Sequence, residues 1–294
     1  MENLINCPNC ACYNIIKKFE CIDYLVSHRK FDIYECTDCK LMFTNPRPEI
    51  YEIADYYKSD DYVVHTERMS NLINFLFLIV RRFSIIRKYN IIKNYNLNNR
   101  ILDIGCGTGI FLNYCRKKGM EVTGIEPSET ARKIAKEKYE LINIYSVDNF
   151  KVLTNNYYGI ITLWHVLEHV HDIDFYLKKI YSLLIDDGIL IIALPNPESF
   201  DAQYYSSYWA AFDVPRHLYH FRKDFIIEYL KKYNFKLQKI LPLKFDSYYI
   251  SMLSEKYMKR KIKFLKTFII GFISNLKACK TKDYSSLIYV FKKN

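Results

Sequence analysis

The sequence predicts an α/β fold, a doubly wound and mostly parallel sheet preceded by a small module built around four cysteines. Three observations carry this. From residue 100 onward, short apolar runs alternate with helix-period segments, the pattern of repeated βα units. The first run, Ile101-Leu102-Asp103-Ile104, leads straight into Gly105-Cys106-Gly107-Thr108-Gly109. Ahead of both stand Cys7-Pro8-Asn9-Cys10 and Cys36-Thr37-Asp38-Cys39, two Cys-x-x-Cys knuckles separated by 25 residues.

Taken in order, residues 70–95 carry apolar positions at helical spacing among basic residues and read as helices leading into the sheet. A first strand spans Arg100–Ile104, and a helix follows from about Ile110 to Lys118, ended by Gly119. The second strand is Glu121–Ile125, and Ser128 with Glu129 suits the start of the next helix. A weak third strand covers Ile142–Tyr145. Strands four and five are Gly159–Trp164 and Gly188–Leu194, with a helix over Ile173–Leu184 between them. A closing strand, Ser286–Lys292, is expected to return to the sheet as its antiparallel edge. The divisions expected are a cysteine module (1–48), a helical lead-in (49–98), a ligand-binding core (99–250) and a C-terminal helix and strand (251–294).

The glycine loop and the acid beyond it specify a ligand. Glycines at alternate positions let the backbone turn tightly and approach a ligand without Cβ interference. Glu126, at the end of the second strand, can accept hydrogen bonds from two ribose hydroxyls. The dinucleotide fingerprint would need a glycine where this chain has Ile110, and the lysine of a phosphate-cradling loop is absent. A nucleoside without a phosphate chain fits these residues.

Asp103-Ile104-Gly105-Cys106-Gly107-Thr108-Gly109 and Gly124-Ile125-Glu126-Pro127 together resemble the first two motifs of the class I S-adenosylmethionine-dependent methyltransferases. That resemblance implies a Rossmann-like, seven-stranded sheet and S-adenosylmethionine as cofactor. It places Asp103, Gly105, Cys106, Gly107 and Gly109 against the methionine part, and Glu126-Pro127 at the ribose. Asp148, in Ser146-Val147-Asp148, is the candidate for the adenine amino group, with a solvated loop aspartate as the alternative.

Trp164-His165-Val166-Leu167-Glu168-His169-Val170-His171-Asp172 follows strand four, at the edge where ligands bind in such sheets. Methyl transfer needs a nucleophile held against the methyl group and often a base, a role histidine suits near neutral pH. The resemblance puts Trp164 and His165 beside the cofactor's methionine end; Glu168 and His169 either join the chemistry or order the loop. After strand five, residues 196–221 mix Trp209, Asp213, Arg216 and His217, as expected of an acceptor-binding lid. There His217 is a candidate acid/base group. Arg216 is either an anion-binding group or the partner of Asp213 in an internal ion pair. The arrangement over residues 1–250 resembles a bacterial group with an N-terminal Cys-x-x-Cys pair, related to ubiquinone-biosynthesis and deoxysugar C-methyltransferases. The group implies a small-molecule or glycan acceptor.

Cys7, Cys10, Cys36 and Cys39 suit a tetrahedral zinc ion in a zinc-ribbon-like module, mainly structural, although Cys12 could replace Cys10. Nine cysteines, an odd number, with no export signal point to a reducing cytoplasm rather than a disulfide framework. The longest apolar run, Leu72 to Val80, is too short to span a bilayer. A formal charge of +11 favours anionic partners.

Met258, Ile262, Leu265, Ile269, Phe272 and Leu276 form an apolar stripe among Lys256, Lys259, Arg260, Lys263, Lys266 and Lys277. Such a helix most often packs its stripe on the domain. Alternatively, residues 256–280 lie peripherally on an anionic membrane. Three functions follow: a small-molecule, sugar or lipid-linked-precursor methyltransferase; an RNA methyltransferase using the zinc module and basic surface; or an inactive cofactor-binding scaffold. Against RNA base chemistry, strand four lacks the Asn/Asp-Pro-Pro-aromatic ending used on exocyclic amines, and no cysteine near strands four or five could attack a pyrimidine.

Overall fold

The computed structural model describes residues 1–58, 71–95, 97–258 and 264–294. Part of the expected helical lead-in, and Lys259, Arg260, Ile262 and Lys263, lie outside the described residues. The main sheet has seven strands in the order β10-β11-β8-β7-β4-β5-β6. These are β4 (Arg100–Ile104), β5 (Glu121–Ile125), β6 (Ile144–Tyr145), β7 (Tyr158–Trp164), β8 (Leu184–Pro195), β10 (Phe235–Pro242) and β11 (Ser286–Lys293). Strands β4 to β8 pair in parallel, whereas β11 runs antiparallel between β8 and β10.

Long helix α1 (Asn71–Lys93) precedes the sheet, and α2 (Ile110–Lys117), α3 (Glu129–Tyr139) and α4 (Ile173–Leu183) join its parallel strands. Ser128 caps α3, accepting a hydrogen bond from the Ala131 N–H, as its position suggests. The chain leaves β4 for β5 on one side and later returns to β7 on the other. A crevice therefore opens beyond the carboxyl end of β4, the usual ligand position in such sheets.

The structure corrects the expected edge. Strand β11 lies inside the sheet and is buried almost throughout, while β10 forms the rim with Lys236, Gln238 and Lys239 exposed. Exposed lysines are a common protection of an edge against further strand pairing. The strands expected from the sequence include Ser286–Lys292 but not Phe235–Pro242, which takes the edge position.

A second sheet, in the order β1-β2-β3-β9, comprises β1 (Ile15–Ile22), β2 (Lys30–Cys36), β3 (Met42–Asn45) and β9 (Tyr219–His220). Its last strand comes from the far end of the segment after β8, so Phe43 pairs with Tyr219 across a long chain separation. That segment contains α5 (Phe200–Tyr205) and is followed by α6 (Lys223–Lys231).

Helices α7 (Asp246–Tyr257) and α8 (Phe264–Thr281) pack on each other, and here the packing expectation fails. Leu265, Ile269, Phe272 and Leu276 are exposed, whereas Thr267, Ile270, Ser274 and Ala278 are buried. The facing side of α7 buries Ser247, Ser251 and Ser254, and Gly271 sits so close that a Cβ there would lie 2.7 Å from the Tyr248 ring. Small residues permit this close approach and leave no room for the large apolar stripe, which turns outward. Among the described residues no helix is long and apolar enough to cross a membrane.

Candidate active site and metal cluster

The end of β4 shapes the cofactor cleft. Gly105 and Gly109 have φ of +74° and +76°, and Cβ atoms there would strike Val166 at 2.4 Å and Leu141 at 2.6 Å. Gly107, also at positive φ, meets nothing within 4 Å of such a Cβ and faces open space. Glu126 is buried and ties the loop to the next strand. Its Oε2 accepts from the Gly107 N–H at 2.8 Å and its Oε1 from the Ser128 N–H at 2.9 Å. Burial raises its pKa, against the opposing pull of those two donors.

Trp164 closes the other side. Its indole Nε1 is buried without a hydrogen-bond partner, and the Lys88 ammonium lies 4.4 Å from its ring centroid. An orphan N–H beside an ammonium suits a carboxylate, such as that of a methionyl group. Asp103 is more deeply placed than expected: it accepts from Thr162 Oγ1 at 2.6 Å, and burial pushes its pKa to about 7. The Cys106 thiol faces inward toward Gly124, and its N–H bonds the Ile125 carbonyl, so neither group reaches the cleft. Pro127 and Asp148 are both exposed on the same strand-end side, Asp148 in the 3-10 turn Val147–Val152.

Beyond Trp164 the chain turns through His165 at φ +57°, a left-handed conformation uncommon outside glycine. This turn sets His165 Nε2 3.2 Å from Asp246 Oδ2 and Nδ1 3.5 Å from Glu168 Oε1. Burial opposes the charged form, but the two carboxylates prevail and lift the pKa to about 9. At neutral pH His165 is thus an imidazolium, a donor rather than the base expected from the sequence. A proton NMR titration is expected to give a midpoint of about 9 for this ring. Asp246→Asn should move it toward the ordinary value of about 6.5. The sign for stability follows: the contribution is full below about 6.5 and is lost as pH rises through the folded value.

Behind His165, both Glu168 oxygens are buried without a hydrogen-bond partner, and His217 Nε2 lies 4.0 Å from Oε1. His217 Nδ1 donates to the Ala211 carbonyl at 2.9 Å, which in the neutral ring leaves Nε2 as an acceptor. His169 Nδ1 meets the Arg216 carbonyl at 3.0 Å and the Tyr57 hydroxyl at 2.8 Å. Burial and the neighbouring His217 lower the His169 pKa to about 4, keeping that ring neutral. Ligand atoms of Glu168, His169 and His217 lie within 4.8 Å of one another, so the group can share a proton or hold a cation.

The family model for the methyltransferase domain matches residues 65–240. The chain belongs to the class I S-adenosylmethionine-dependent methyltransferases. Its similar curated relatives include the ubiquinone biosynthesis O-methyltransferases of Pelagibacter ubique and Bradyrhizobium diazoefficiens. The first is 35% identical over 103 residues, covering 34% of this chain and 43% of that protein. The second is 29% identical over 101 residues, covering 33% and 40%. The chain thus spans about two fifths of the length of these relatives. Among solved structures, the geranyl diphosphate C-methyltransferase of Streptomyces coelicolor A3(2) matches with a TM-score of 0.54 at 12% identity, over 78% of this chain and 86% of that one. A SAM-dependent methyltransferase of Thermotoga maritima matches with a TM-score of 0.51 at 17% identity, over 74% and 93%. At these identities the structural likeness concerns the fold.

In this methyltransferase the segment 196–221 is packed into the protein. Trp209 is buried, and its indole N–H donates to Asp201 at 2.8 Å; Asp201 also accepts from Ser274 and Ser285. For Arg216 the ion-pair alternative holds. The guanidinium is 1% exposed, bonded to Asp213 at 2.7 Å, to Asp23 at 3.0 Å and to the Tyr56 carbonyl at 3.1 Å. All its donors face inward, so it offers nothing to an anionic ligand.

Sulfur atoms of Cys7, Cys10, Cys36 and Cys39 converge within 4.8 Å of one another, with Cys7–Cys39 and Cys10–Cys36 at 3.5 Å. Zinc–sulfur bonds of about 2.3 Å imply tetrahedral edges of about 3.8 Å, close to this spacing. Cys12 stands outside the group and accepts from the Asn14 N–H.

Sequence reasoning missed Lys88, Asp246 and Asp23. Lys88 and Asp246 are single charged residues in helices and Asp23 directly follows β1, and no local spacing distinguishes them from solvated ones.

Proposed function

We propose that this methyltransferase acts on an oxygen or carbon nucleophile of a small-molecule acceptor, such as a sugar, a glycan or a lipid-linked precursor. The observation that carries the reading is His165, an imidazolium fixed by two carboxylates at the cleft mouth and about a third exposed. S-adenosylmethionine, when bound, supplies an electrophilic methyl group. The Gly105–Gly109 backbone lies against its methionine part, Glu126 holds its ribose, and Lys88 with Trp164 receives its carboxylate. His165, whose two ring nitrogens face Asp246 and Glu168, then sets its charged ring beside the anionic oxygen of the acceptor, or beside the oxygen that carries charge when carbon is the nucleophile. Glu168 and His217 are positioning residues that keep the imidazole aimed at the cleft. The names of the curated relatives support a small acceptor with an oxygen nucleophile.

The test is turnover with methyl-labelled cofactor against phenolic, sugar and lipid-linked acceptors. His165→Ala should lower kcat about a hundredfold, while KM for the cofactor changes little. Unchanged turnover in that variant, or label appearing in bulk RNA, overturns the reading.

We also propose that the four-cysteine cluster binds zinc. The four cysteines bring the segment before β1 against the turn between β2 and β3, and a metal there ties those two segments together. Metal analysis of protein purified without chelator should find about one zinc per chain, lost in Cys36→Ser together with a drop in melting temperature. Well under one equivalent would reject the site.

A further inference from the structure

Helix α8 is inverted relative to an ordinary surface helix. Leu265, Phe268, Phe272 and Leu276 are 73%, 58%, 52% and 58% exposed, while the inner face carries threonine, serine, glycine and alanine. A stripe this apolar is normally the part of a helix that is buried. The side-chain hydroxyl of Ser274 donates to Asp201, and Ser247 donates to the Gly271 carbonyl, so polar bonds fasten the helix and fix which face looks out.

The charge around the stripe selects its occupant. From Lys256 to Lys282 the sequence has nine lysines and arginines and no aspartate or glutamate. Lys277 and Lys280 are exposed beside Leu276, with the Lys277 ammonium 3.8 Å from the centre of the Phe200 ring. A second copy docking through the same face would set this stretch against itself, cation against cation without an acid in it. An anionic bilayer supplies both an apolar interior for the stripe and phosphate oxygens for its lysines. We propose that α8 lies in the interface of an anionic phospholipid membrane and docks the protein there.

Geometry links this face to the active site. Phe268 stacks on Tyr248 at 5.1 Å, and Asp246, two residues earlier on α7, holds His165. The docked surface therefore lies one helix from the cleft mouth. The proposal does not depend on the acceptor assignment.

The test is co-sedimentation of the full chain with phosphatidylcholine vesicles, with and without phosphatidylglycerol. At about 0.1 M salt the anionic vesicles should retain roughly tenfold more protein, and the difference should shrink severalfold at about 0.5 M. The double variant Leu265→Glu/Phe272→Glu should fall to the level of neutral vesicles with an unchanged melting temperature, both side chains being at the surface. Lys277→Gln/Lys280→Gln should give an intermediate loss. Equal retention on both vesicle types overturns the proposal, as does full binding by the double glutamate variant. A solution dimer broken by that variant, in a protein that ignores vesicles, assigns the face to a second copy instead.

Discussion

Glu126→Ala is expected to weaken S-adenosylhomocysteine binding about a hundredfold or more, read by titration calorimetry. The carboxylate is the common anchor of the loop and the ribose side of the cleft. Its two oxygens take the Gly107 and Ser128 N–H groups, and each keeps a second lone pair for a ribose hydroxyl. Hydrogen bonds to a charged group contribute about 1.5–3 kcal/mol each, so losing two of them corresponds to this factor or more. Glu126→Gln retains an acceptor for the loop but loses the charge and should fall between wild type and alanine. The raised pKa adds a pH signature: wild-type affinity should drop on acidification at a pH above the ordinary glutamate value. Unchanged affinity in Glu126→Ala would remove the carboxylate from the cofactor site.

The cofactor edge was legible because its parts are close in sequence and each has a local reason. Strands over 100–104 and 121–125 were placed at their observed bounds, and Gly107 faces the open cleft as a glycine in such a loop should. Strand bounds drifted where pairing rather than composition sets them. The weak third strand shrank to Ile144–Tyr145, since only those residues pair with β5. The fifth strand lengthened to Leu184–Pro195 along β7 and β11.

The charged partners were illegible for a different reason. Asp246 meets His165 and Lys88 meets Trp164 only because the chain has folded back on itself; neither partner has a local pattern that requires it. Helix α8 shows a third limit. Periodicity identifies which residues share a face, and it did so correctly for Leu265, Ile269, Phe272 and Leu276. It cannot say whether that face turns inward, because the answer lies in the serine and glycine packing on α7.

Arg216→Ala should lower stability by roughly 3–5 kcal/mol, a fall in melting temperature of about 10 °C or more. The side chain sits between Asp23 of the N-terminal sheet and Asp213 of the segment after β8, and all three are largely buried. Asp23 has further donors in the Ser27 N–H and hydroxyl, at 2.7 and 2.8 Å, so the carboxylate is held in place when the cation is removed. Burial alone would raise both aspartate pKa values, but Arg216 and the other groups around them together outweigh it and lower them. Their contribution is therefore present above the ordinary carboxylate value of about 3.9 and is lost as pH falls through the depressed folded values. In Arg216→Ala the same carboxylates are buried without their cation, and their pKa values should rise instead. The stability gap between wild type and variant should then narrow on acidification, where the aspartates are neutral in both proteins. The triple variant Asp23→Asn/Asp213→Asn/Arg216→Met should recover part of the loss, because it removes the charges along with their partner. A gap that stays constant from neutral to acid pH would show that Arg216 acts through packing alone.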